Sequence, residues 1–351
     1  MVNFFNSFLV LLFCLSAFGQ TSRYQVRTIA FYNLENLFDT IDDPKTFDED
    51  FTPAGKYKWT AKRNNEKIEN LAGVISGIGY PLRKSAPDVV GICEVENFHT
   101  LSDLVNHPSL KSNDYGIIHK DGPDARGIDV ALIYRKASFI PVSIQAHRLI
   151  LLNTKRFIEP TRYQLVVYGF LEGLPLYFIV NHWPSRRGGE LRSRPNRIAA
   201  AELNLKIIDS IKRITPEPVI IGMGDFNDNP NDYSMTKVLA TKKEREGIAS
   251  LDLFNPMARM FRKGIGSLAY RDSWSLFDQM YFTGNMVNGE KPFQLWKVKI
   301  YDPAELKISR GTYKGYPFRT ITAGRYTAGY SDHFPVYAYL IKEIETLLRK
   351  D

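Results

Sequence analysis

The sequence contains little cysteine and no apolar run long enough to span a membrane comfortably. Only Cys14 and Cys93 occur among the 351 residues, so a disulfide framework is excluded and stability must come from a hydrophobic core. The apolar run at residues 8–18 is shorter than the ~20 residues that a transmembrane helix needs. The chain also lacks fixed-period repeats and any Gly/Ser/Pro-rich linker, which indicates a single domain.

The first 19 residues have the composition of a secretory signal. Residues 8–18 form the apolar segment, and Ala17-Phe18-Gly19 places small residues where a signal peptidase reads them. We therefore predict that residues 1–19 are removed and that the mature protein is secreted or periplasmic, without a transmembrane segment. The alternatives are a buried N-terminal helix and a lipid anchor at Cys14.

Charge and composition describe a basic globular protein. The formal net charge is +8, the hydrophobic fraction is 44% and the aromatic fraction is 13%, values that suit a soluble chain with a sizeable core. A basic protein is attracted to polyanions such as nucleic acid and to anionic lipid surfaces. This charge favours a class of partner, but it does not identify a reaction.

The hydrophobic periodicity predicts helices that flank groups of strands. Apolar residues recur at helical spacing in residues 61–78 and 197–214. Strands are predicted at residues 26–32, 88–93, 129–134, 164–170, 176–181, 219–223, 279–283 and 335–341. Because helices and strands do not alternate strictly, an α+β layered sandwich is favoured over a parallel doubly wound sheet. We predict one catalytic domain over residues 23–349.

Polar side chains follow or precede several of these strands, where a rigid scaffold can present a site. They are Asn33, Glu35, Glu94, His182, Asp225, Asn227, Asp278, Asp332 and His333. Carboxylate and amide oxygens are hard ligands that suit Mg²⁺, with Mn²⁺ or Ca²⁺ as alternatives. A zinc site would need Cys and His residues at ligand spacing, and none are found. The histidines are then free to contact a phosphoryl group or to move protons.

Each cluster taken alone has an ordinary structural explanation. Glu94 can be a solvated strand end, His182 a satisfied structural histidine, and residues 225–227 an Asx turn. The clusters gain weight because they occur together and in a fixed order. The other four histidines, His99, His107, His119 and His147, lie outside the clusters and are interpreted as surface or core residues.

The ordered series resembles the endonuclease/exonuclease/phosphatase superfamily from about Val26 to Ile341. The matching blocks are Asn33-Leu34-Glu35-Asn36, Ile92-Cys93-Glu94, Asn181-His182-Trp183-Pro184, Gly224-Asp225-Phe226-Asn227, Phe277-Asp278-Gln279 and Ser331-Asp332-His333. The resemblance implies a four-layer α/β/β/α sandwich with two mainly antiparallel sheets packed face to face. It also implies that Glu94 is the principal metal ligand. The residues implied to assist it are Asn33, Glu35 and Asp332.

The same resemblance implies the roles of the catalytic residues. Asp225 orients or deprotonates the attacking water, and Asn227 holds the phosphate. His333 contacts the phosphoryl oxygens and is oriented by Asp278, while His182 stabilises charge or serves the leaving oxygen. Whether Asp225 or His333 is the general base stays open. Among substrate-binding residues, Arg126 lies where some members place a phosphate-binding arginine.

The segment after His182 bears on the substrate. It contains Arg186 and Arg187 beside Gly188-Gly189, which fits a polyanionic backbone, although a solvated loop leading to the helix at Arg197 is the alternative. We predict a metal-dependent phosphodiesterase, most simply an endonuclease, with nucleic acid as substrate and no stable protein partner. The alternatives are a lipid or inositol polyphosphate phosphohydrolase, including a sphingomyelinase-like enzyme, and a non-catalytic phosphate-binding protein.

Overall fold

Two six-stranded β-sheets form the centre of the fold. The computed structural model describes residues 23–152 and 157–344, so the predicted signal at residues 1–19 lies outside the described residues. Strands and helices are numbered in chain order. The first sheet comprises β1 (Arg23–Leu37), β2 (Val89–Val95), β3 (Tyr115–His119), β4 (Asp129–Arg135), β15 (Gln294–Ile300) and β18 (Val336–Ile344). The second sheet comprises β5 (Phe139–Arg148), β8 (Tyr163–Leu171), β9 (Leu174–His182), β10 (Ile220–Asp225), β11 (Leu253–Phe254) and β14 (Asp278–Thr283).

Short hairpins and helices complete the described chain. The two-stranded hairpins are β6 (Leu151–Leu152) with β7 (Ile158–Glu159), β12 (Leu268–Tyr270) with β13 (Ser273–Ser275), and β16 (Ile321–Thr322) with β17 (Arg325–Tyr326). The helices are α1 (Ala61–Gly77), α2 (Tyr80–Arg83), α3 (Phe98–Asn106), α4 (Pro108–Lys111), α5 (Glu190–Ile214) and α6 (Met257–Phe261). Single 3₁₀ turns lie at Glu49–Phe51, Gly284–Met286 and Ala304–Leu306, and a π turn lies at Ser234–Val238. Within the described ranges, no helix has both the length and the apolarity needed to cross a membrane.

Sheet pairing is mainly antiparallel, as predicted. The first sheet has the order β15-β18-β1-β2-β4-β3, and the second has the order β11-β14-β10-β9-β8-β5. Only two pairs in these sheets, β1 with β2 and β9 with β10, run parallel. In each parallel pair the two strands have their carboxyl ends at the same end of the sheet. Polar residues at these strand ends therefore lie close together.

Alternating side chains on the strands separate three hydrophobic layers. Phe31 of β1 and Met223 of β10 belong to the core between the two sheets, whereas Tyr32 faces the opposite way, toward α1. A third core joins the outer face of the second sheet to α5, including Ile179 and Ile208. This arrangement confirms the predicted four-layer α/β/β/α sandwich.

Helix α5 begins earlier than the sequence predicts. The apolar periodicity starts near Ile198, but the helix starts at Glu190, directly after Gly189, and includes Pro195. The first two turns are polar, so periodicity alone could not reveal them. Ser193 helps to close the first turn, because its Oγ donates to the Gly189 carbonyl at 2.8 Å. The second half of the predicted basic loop, from Glu190 onward, is therefore helical.

Candidate active site

Three neighbouring strands of the second sheet carry candidate catalytic residues at the same end of the sheet. His182 ends β9 and lies opposite Asp225, which ends β10, in the parallel pairing. Asp225 in turn lies opposite Asp278, which begins the antiparallel strand β14. The chain direction of β14 is reversed, so its first residue reaches the edge where the other two strands end.

In the first sheet, the backbone is irregular at the carboxyl ends of β1 and β2, where the candidate residues Asn33, Glu35 and Glu94 lie. The β1–β2 pairing shifts register between Asn33 and Leu37, and the β2–β4 pairing shifts between Cys93 and Val95. Residues in the left-handed region follow these shifts: Glu35 (φ 48°), Asn36 (φ 55°) and Glu94 (φ 59°). Bulges of this kind redirect side chains and are common next to active sites.

The two sheets meet through a small cluster of polar side chains. Asn33 Nδ2 donates to Asp225 Oδ2 at 3.1 Å. The Nε2 atom of His182 lies 3.7 Å from Glu94 Oε1 and 3.8 Å from Asp225 Oδ2. Asn227, in the left-handed region at φ 50°, donates its backbone N–H to Asp225 Oδ1 at 2.9 Å. The structure therefore brings these five sequence-predicted residues into one site.

His333 and Asp278 form a buried pair beside this cluster. The Nδ1 atom of His333 lies 2.6 Å from Asp278 Oδ2, and Ser267 Oγ donates to the same carboxylate oxygen. Burial by itself lowers the pKa of His333, but the carboxylates of Asp278 and Asp332 outweigh it and hold that pKa well above its usual range. The imidazole is therefore positively charged at neutral pH and can donate from Nε2.

His182 and Asp225 have pKa values displaced by burial. Burial, with help from Arg162 and Arg126, lowers the pKa of His182 well below its usual range, so this imidazole is neutral. Burial also raises the pKa of Asp225 to about 7, although the charge of His333 opposes the rise. A carboxylate with a pKa near neutrality can exchange protons efficiently at physiological pH.

The donor set fits a hard divalent cation. Glu94 Oε1 and Asp225 Oδ2 both lie within 4 Å of His182 Nε2, so two carboxylate oxygens converge on one part of the site. Ligand atoms of Cys93, His182 and Asp225 lie within 4.8 Å of one another. Burial raises the pKa of the Cys93 thiol well above its usual range, which leaves the oxygen atoms as the better ligands.

Glu35 and Asp332 are joined by an arginine that the sequence analysis did not identify. Arg319 Nε lies 3.2 Å from Glu35 Oε1, and Arg319 Nη2 lies 2.8 Å from Asp332 Oδ2. Glu35 also accepts from the backbone N–H groups of Thr320 at 2.6 Å and Ile321 at 3.4 Å. Both carboxylate oxygens of Glu35 thus have protein partners in this structure.

A cleft of about 680 Å³ opens over the catalytic cluster, and several arginines line it. They are Arg126, Arg162, Arg187 and Arg192. Arg162 is buried, and it donates to Asp124 Oδ2 at 3.0 Å and to the Trp183 carbonyl at 2.7 Å. No motif or periodicity could have selected it, because its partners are distant in sequence.

Arg186 does not line the cleft as Arg187 does. Its Nε donates to the Asn227 carbonyl at 2.9 Å, and its Nη2 pairs with Asp228 and Asp232. The guanidinium also lies 4.6 Å from the centre of the Phe277 ring. Arg186 is therefore held by protein groups, whereas Arg187 is exposed to the cleft.

Sequence and structure comparisons agree with this geometry. The sequence model of the Endonuclease/Exonuclease/phosphatase family matches residues 28–342. The chain belongs to this family. No curated protein matches the sequence.

Solved structures share the fold of this endonuclease/exonuclease/phosphatase protein. TDP2 of D. rerio carrying 14 humanizing mutations aligns with a TM-score of 0.53 and 14% identity, covering 90% of this chain and 98% of its own. A Bacteroides thetaiotaomicron mannosyl-6-phosphatase aligns with a TM-score of 0.52 and 16% identity, covering 91% and 100%. At these identities the likeness establishes the fold, and the family membership establishes a hydrolase acting on phosphoester bonds.

Proposed function

We propose that this protein is a divalent-metal-dependent phosphodiesterase that hydrolyses nucleic acid outside the cytoplasm. The observation that carries the proposal is the presence of several arginines in the lining of the catalytic cleft. Arg126, Arg187 and Arg192 line the cleft together with Glu94 and Asp225. A substrate whose backbone carries further phosphates past the scissile one matches this arrangement.

The metal would be held mainly by Glu94, assisted by Asn33. When bound, a divalent cation such as Mg²⁺ polarises the phosphoryl group and balances the negative charge that develops in the transition state. Both oxygens of Glu35 are engaged by Arg319 and by backbone N–H groups. We therefore assign to Glu35 and Asp332 the positioning of Arg319 at the edge of the metal site.

Asp225 is the stronger candidate for the general base. Its raised pKa lies near neutrality, whereas His333 is held in its charged form by Asp278. A charged His333 has no free lone pair to accept a proton, but its Nε2–H can donate to a phosphoryl oxygen. Asp225 can accept the proton of the attacking water, and the backbone N–H of Asn227 fixes the orientation of its carboxylate.

Asn227 and His182 complete the catalytic group. The Asn227 side-chain amide donates one N–H to the Trp183 carbonyl at 3.0 Å, so the amide is held in a fixed orientation and its second N–H can donate to a phosphoryl oxygen. The neutral His182 directs Nε2 between Glu94 and Asp225. From this position it can donate a hydrogen bond to the leaving oxygen or to a phosphoryl oxygen.

A lipid phosphohydrolase is the second candidate, and the β6–β7 hairpin supports it. Leu151 packs into the third core, while Ile150, Leu152 and Ile158 are 61%, 60% and 50% exposed. Leu151 and Glu159 of the same hairpin line the catalytic cleft. Exposed apolar residues beside a reaction site suit contact with a lipid surface.

A substrate panel distinguishes these functions. The mature protein is incubated with Mg²⁺ on duplex DNA, single-stranded DNA, RNA, sphingomyelin vesicles, inositol phosphates and a small phosphomonoester. We expect nucleic acid to be hydrolysed fastest and EDTA to abolish the reaction. Glu94→Gln should remain folded and lose most turnover, with Glu69→Gln, exposed on α1, as the matched control. Faster hydrolysis of sphingomyelin or the phosphomonoester would overturn the nuclease assignment.

Salt dependence tests the arginines directly. Each phosphate contact on duplex DNA contributes a slope near −0.9 to the logarithm of affinity against the logarithm of salt concentration. Arg187→Ala should therefore reduce the slope by about 1, without changing sequence preference. Arg194→Ala is the control, because Arg194 pairs with Glu190 on α5 and does not line the cleft. Equal slopes for both variants would remove Arg187 from the DNA contact.

Export is part of the same proposal. The apolar segment at residues 8–18 and the small residues at its end favour cleavage close to the Gly19–Gln20 bond. N-terminal sequencing of the protein from its native source should therefore give a chain that begins near Gln20. A cytoplasmic chain that begins at Met1 would contradict export and weaken the extracellular substrate assignment.

A further inference from the structure

A second pocket, of about 710 Å³, lies on the other side of the segment at residues 124–125. Residues Asp124, Ala125 and Pro160 line both pockets, so they form the wall between them. The second pocket is more acidic than the first, whose lining contains four arginines and four carboxylates. Its lining contains seven carboxylates and one lysine: Asp39, Asp42, Asp43, Glu96, Asp121, Asp124, Asp129 and Lys45. In a chain of net charge +8, this concentration of negative charge favours a cation.

A buried histidine, His119, lies next to two of these acidic residues, Asp121 and Asp129. His119 ends β3, its side chain is 3% exposed, and its Nε2 atom has no hydrogen-bond partner. That atom lies 3.3 Å from Asp129 Oδ2, and Nδ1 of the same ring lies 3.7 Å from Asp121 Oδ1. Ligand atoms of the three residues all lie within 4.8 Å of one another. The imidazole ring thus has a carboxylate near each of its nitrogens, and its buried Nε2 atom, which has no hydrogen-bond partner, is available to bind an ion.

Gly122 allows Asp129 to approach this group closely. The Gly122 backbone N–H donates to Asp129 Oδ2 at 3.1 Å. A Cβ atom at position 122 would lie 2.4 Å from Asp129 Oδ1, so any larger residue would displace the carboxylate. The turn thus fixes Asp129 Oδ2, which is the carboxylate oxygen near His119 Nε2.

We propose that His119, Asp121 and Asp129 form a second divalent-cation site, separate from the catalytic cluster. One imidazole nitrogen with two carboxylates suits a first-row transition ion such as Zn²⁺ better than Mg²⁺, which prefers oxygen ligands alone. Three protein ligands leave a position for water, and the acidic pocket gives the ion access from solvent. This site does not depend on the proposed substrate.

Ion binding there would stiffen the segment that carries Arg126 into the catalytic cleft. The two ends of this segment are His119 and Asp129, and Asp121 lies within it. Asp124, also in the segment, already pairs with Arg162 at 3.0 Å. An ion that joins both ends would restrict the movement of the wall between the two pockets.

The experiment measures bound Zn²⁺ by equilibrium dialysis of the folded, otherwise native protein. We expect His119→Gln to bind one ion fewer than the unmodified protein. Asp121→Asn should bind the second ion at least tenfold more weakly, and because the Asp121 side chain is 89% exposed, the substitution should leave the fold intact. The matched control is His99→Gln/Asp103→Asn, an exposed His–Asp pair on α3 separated by 3.8 Å, which should keep the full number of ions.

A second measurement follows the segment itself. Zn²⁺ should slow amide hydrogen exchange at residues 122–127 in the unmodified protein and leave the exchange rates of Asp121→Asn unchanged at the same concentration. If His119→Gln and Asp121→Asn both bind as many ions as the control with equal affinity, the proposed site does not exist.

Discussion

At the scale of single residues, the charge of His333 depends mainly on Asp278. Asp278 Oδ2 lies 2.6 Å from His333 Nδ1 in a fully buried setting. Burial alone favours the neutral imidazole, and the Asp278 carboxylate is the largest of the influences that raise the pKa against it, ahead of Asp332 and Asp225. The catalytic role of His333 as a donor is therefore a property of the pair.

Asp278→Asn should lower the pKa of His333, because it removes the carboxylate that most strongly opposes the effect of burial and leaves only Asp332 and Asp225. A reaction that needs the charged imidazole loses rate as pH rises through that pKa, so the alkaline limb of the kcat profile should move to lower pH. At pH 8 we expect kcat to fall by about 10²-fold. Measurement of kcat against pH, with imidazole NMR signals, checks both effects.

The control for that experiment is Asp272→Asn, which removes an exposed carboxylate from the nearby β12–β13 turn. Its pH profile should match that of the unmodified protein. An alkaline limb that stays in place in Asp278→Asn would show that another group, and not His333, controls it.

At the scale of elements, a buried ion pair attaches the start of α5 to the segment after β10. Arg197 is completely buried and its Nε lies 2.5 Å from Asp228 Oδ1. The same oxygen accepts from Arg186 at 3.1 Å, and Ser234 donates to Asp228 Oδ2 at 2.7 Å. These contacts hold residues 183–189 in a fixed position relative to Asn227.

Asp228→Asn should reduce the free energy of unfolding by about 3–5 kcal/mol, because it removes the nearest counter-ion of the buried Arg197 and leaves only Glu190, whose Oε1 lies 3.6 Å from Arg197 Nη2. Urea unfolding monitored by circular dichroism gives this value. Asp209→Asn removes an exposed carboxylate from the same helix, and its effect should stay within about 0.5 kcal/mol. Similar values for the two variants would mean that the pair contributes nothing to stability.

The helix bounds were predicted correctly where apolar residues recur along the whole helix, and incorrectly where they do not. Helix α1 was predicted at residues 61–78 and is observed at Ala61–Gly77, because its apolar residues recur at helical spacing through most of its length. Helix α5 was predicted seven residues too short, because its first two turns are polar and show no apolar periodicity. Arg197, where the predicted helix began, is completely buried although it is charged. Its burial depends on Asp228, 31 residues away.

At the scale of the whole molecule, the close approach of the two sheets depends on small residues. A Cβ atom at Gly91 of β2 would lie 2.5 Å from Met223 Sδ of β10. Gly91→Ala should therefore reduce the free energy of unfolding by about 1–3 kcal/mol through overpacking. Thermal and urea unfolding measure the change.

Gly73→Ala should have the opposite effect on the free energy of unfolding. Gly73 lies on the exposed face of α1, and a Cβ atom there would meet nothing within 4 Å. Because glycine is unfavourable inside a helix, this substitution should increase the free energy of unfolding by about 0.5–1 kcal/mol. A stabilising effect at both positions would contradict the tight contact between the sheets.

The sequence by itself determined the layered α+β fold, the family and the strands at whose ends the polar residues lie. Strand alternation and helical spacing are local patterns, and the order of the motifs needs no coordinates. Glu94, His182, Asp225 and Asn227 could be chosen in this way because each directly follows an apolar strand.

Only the tertiary structure decided how the charged side chains are paired. It showed that Arg186 is held by Asp228 and Asp232 while Arg187 faces the cleft, a difference that two adjacent arginines cannot reveal in sequence. It likewise joined Arg319 to Glu35 across 284 residues. Ion pairing depends on distance and burial in the folded chain, and both are set by packing between layers rather than by local sequence.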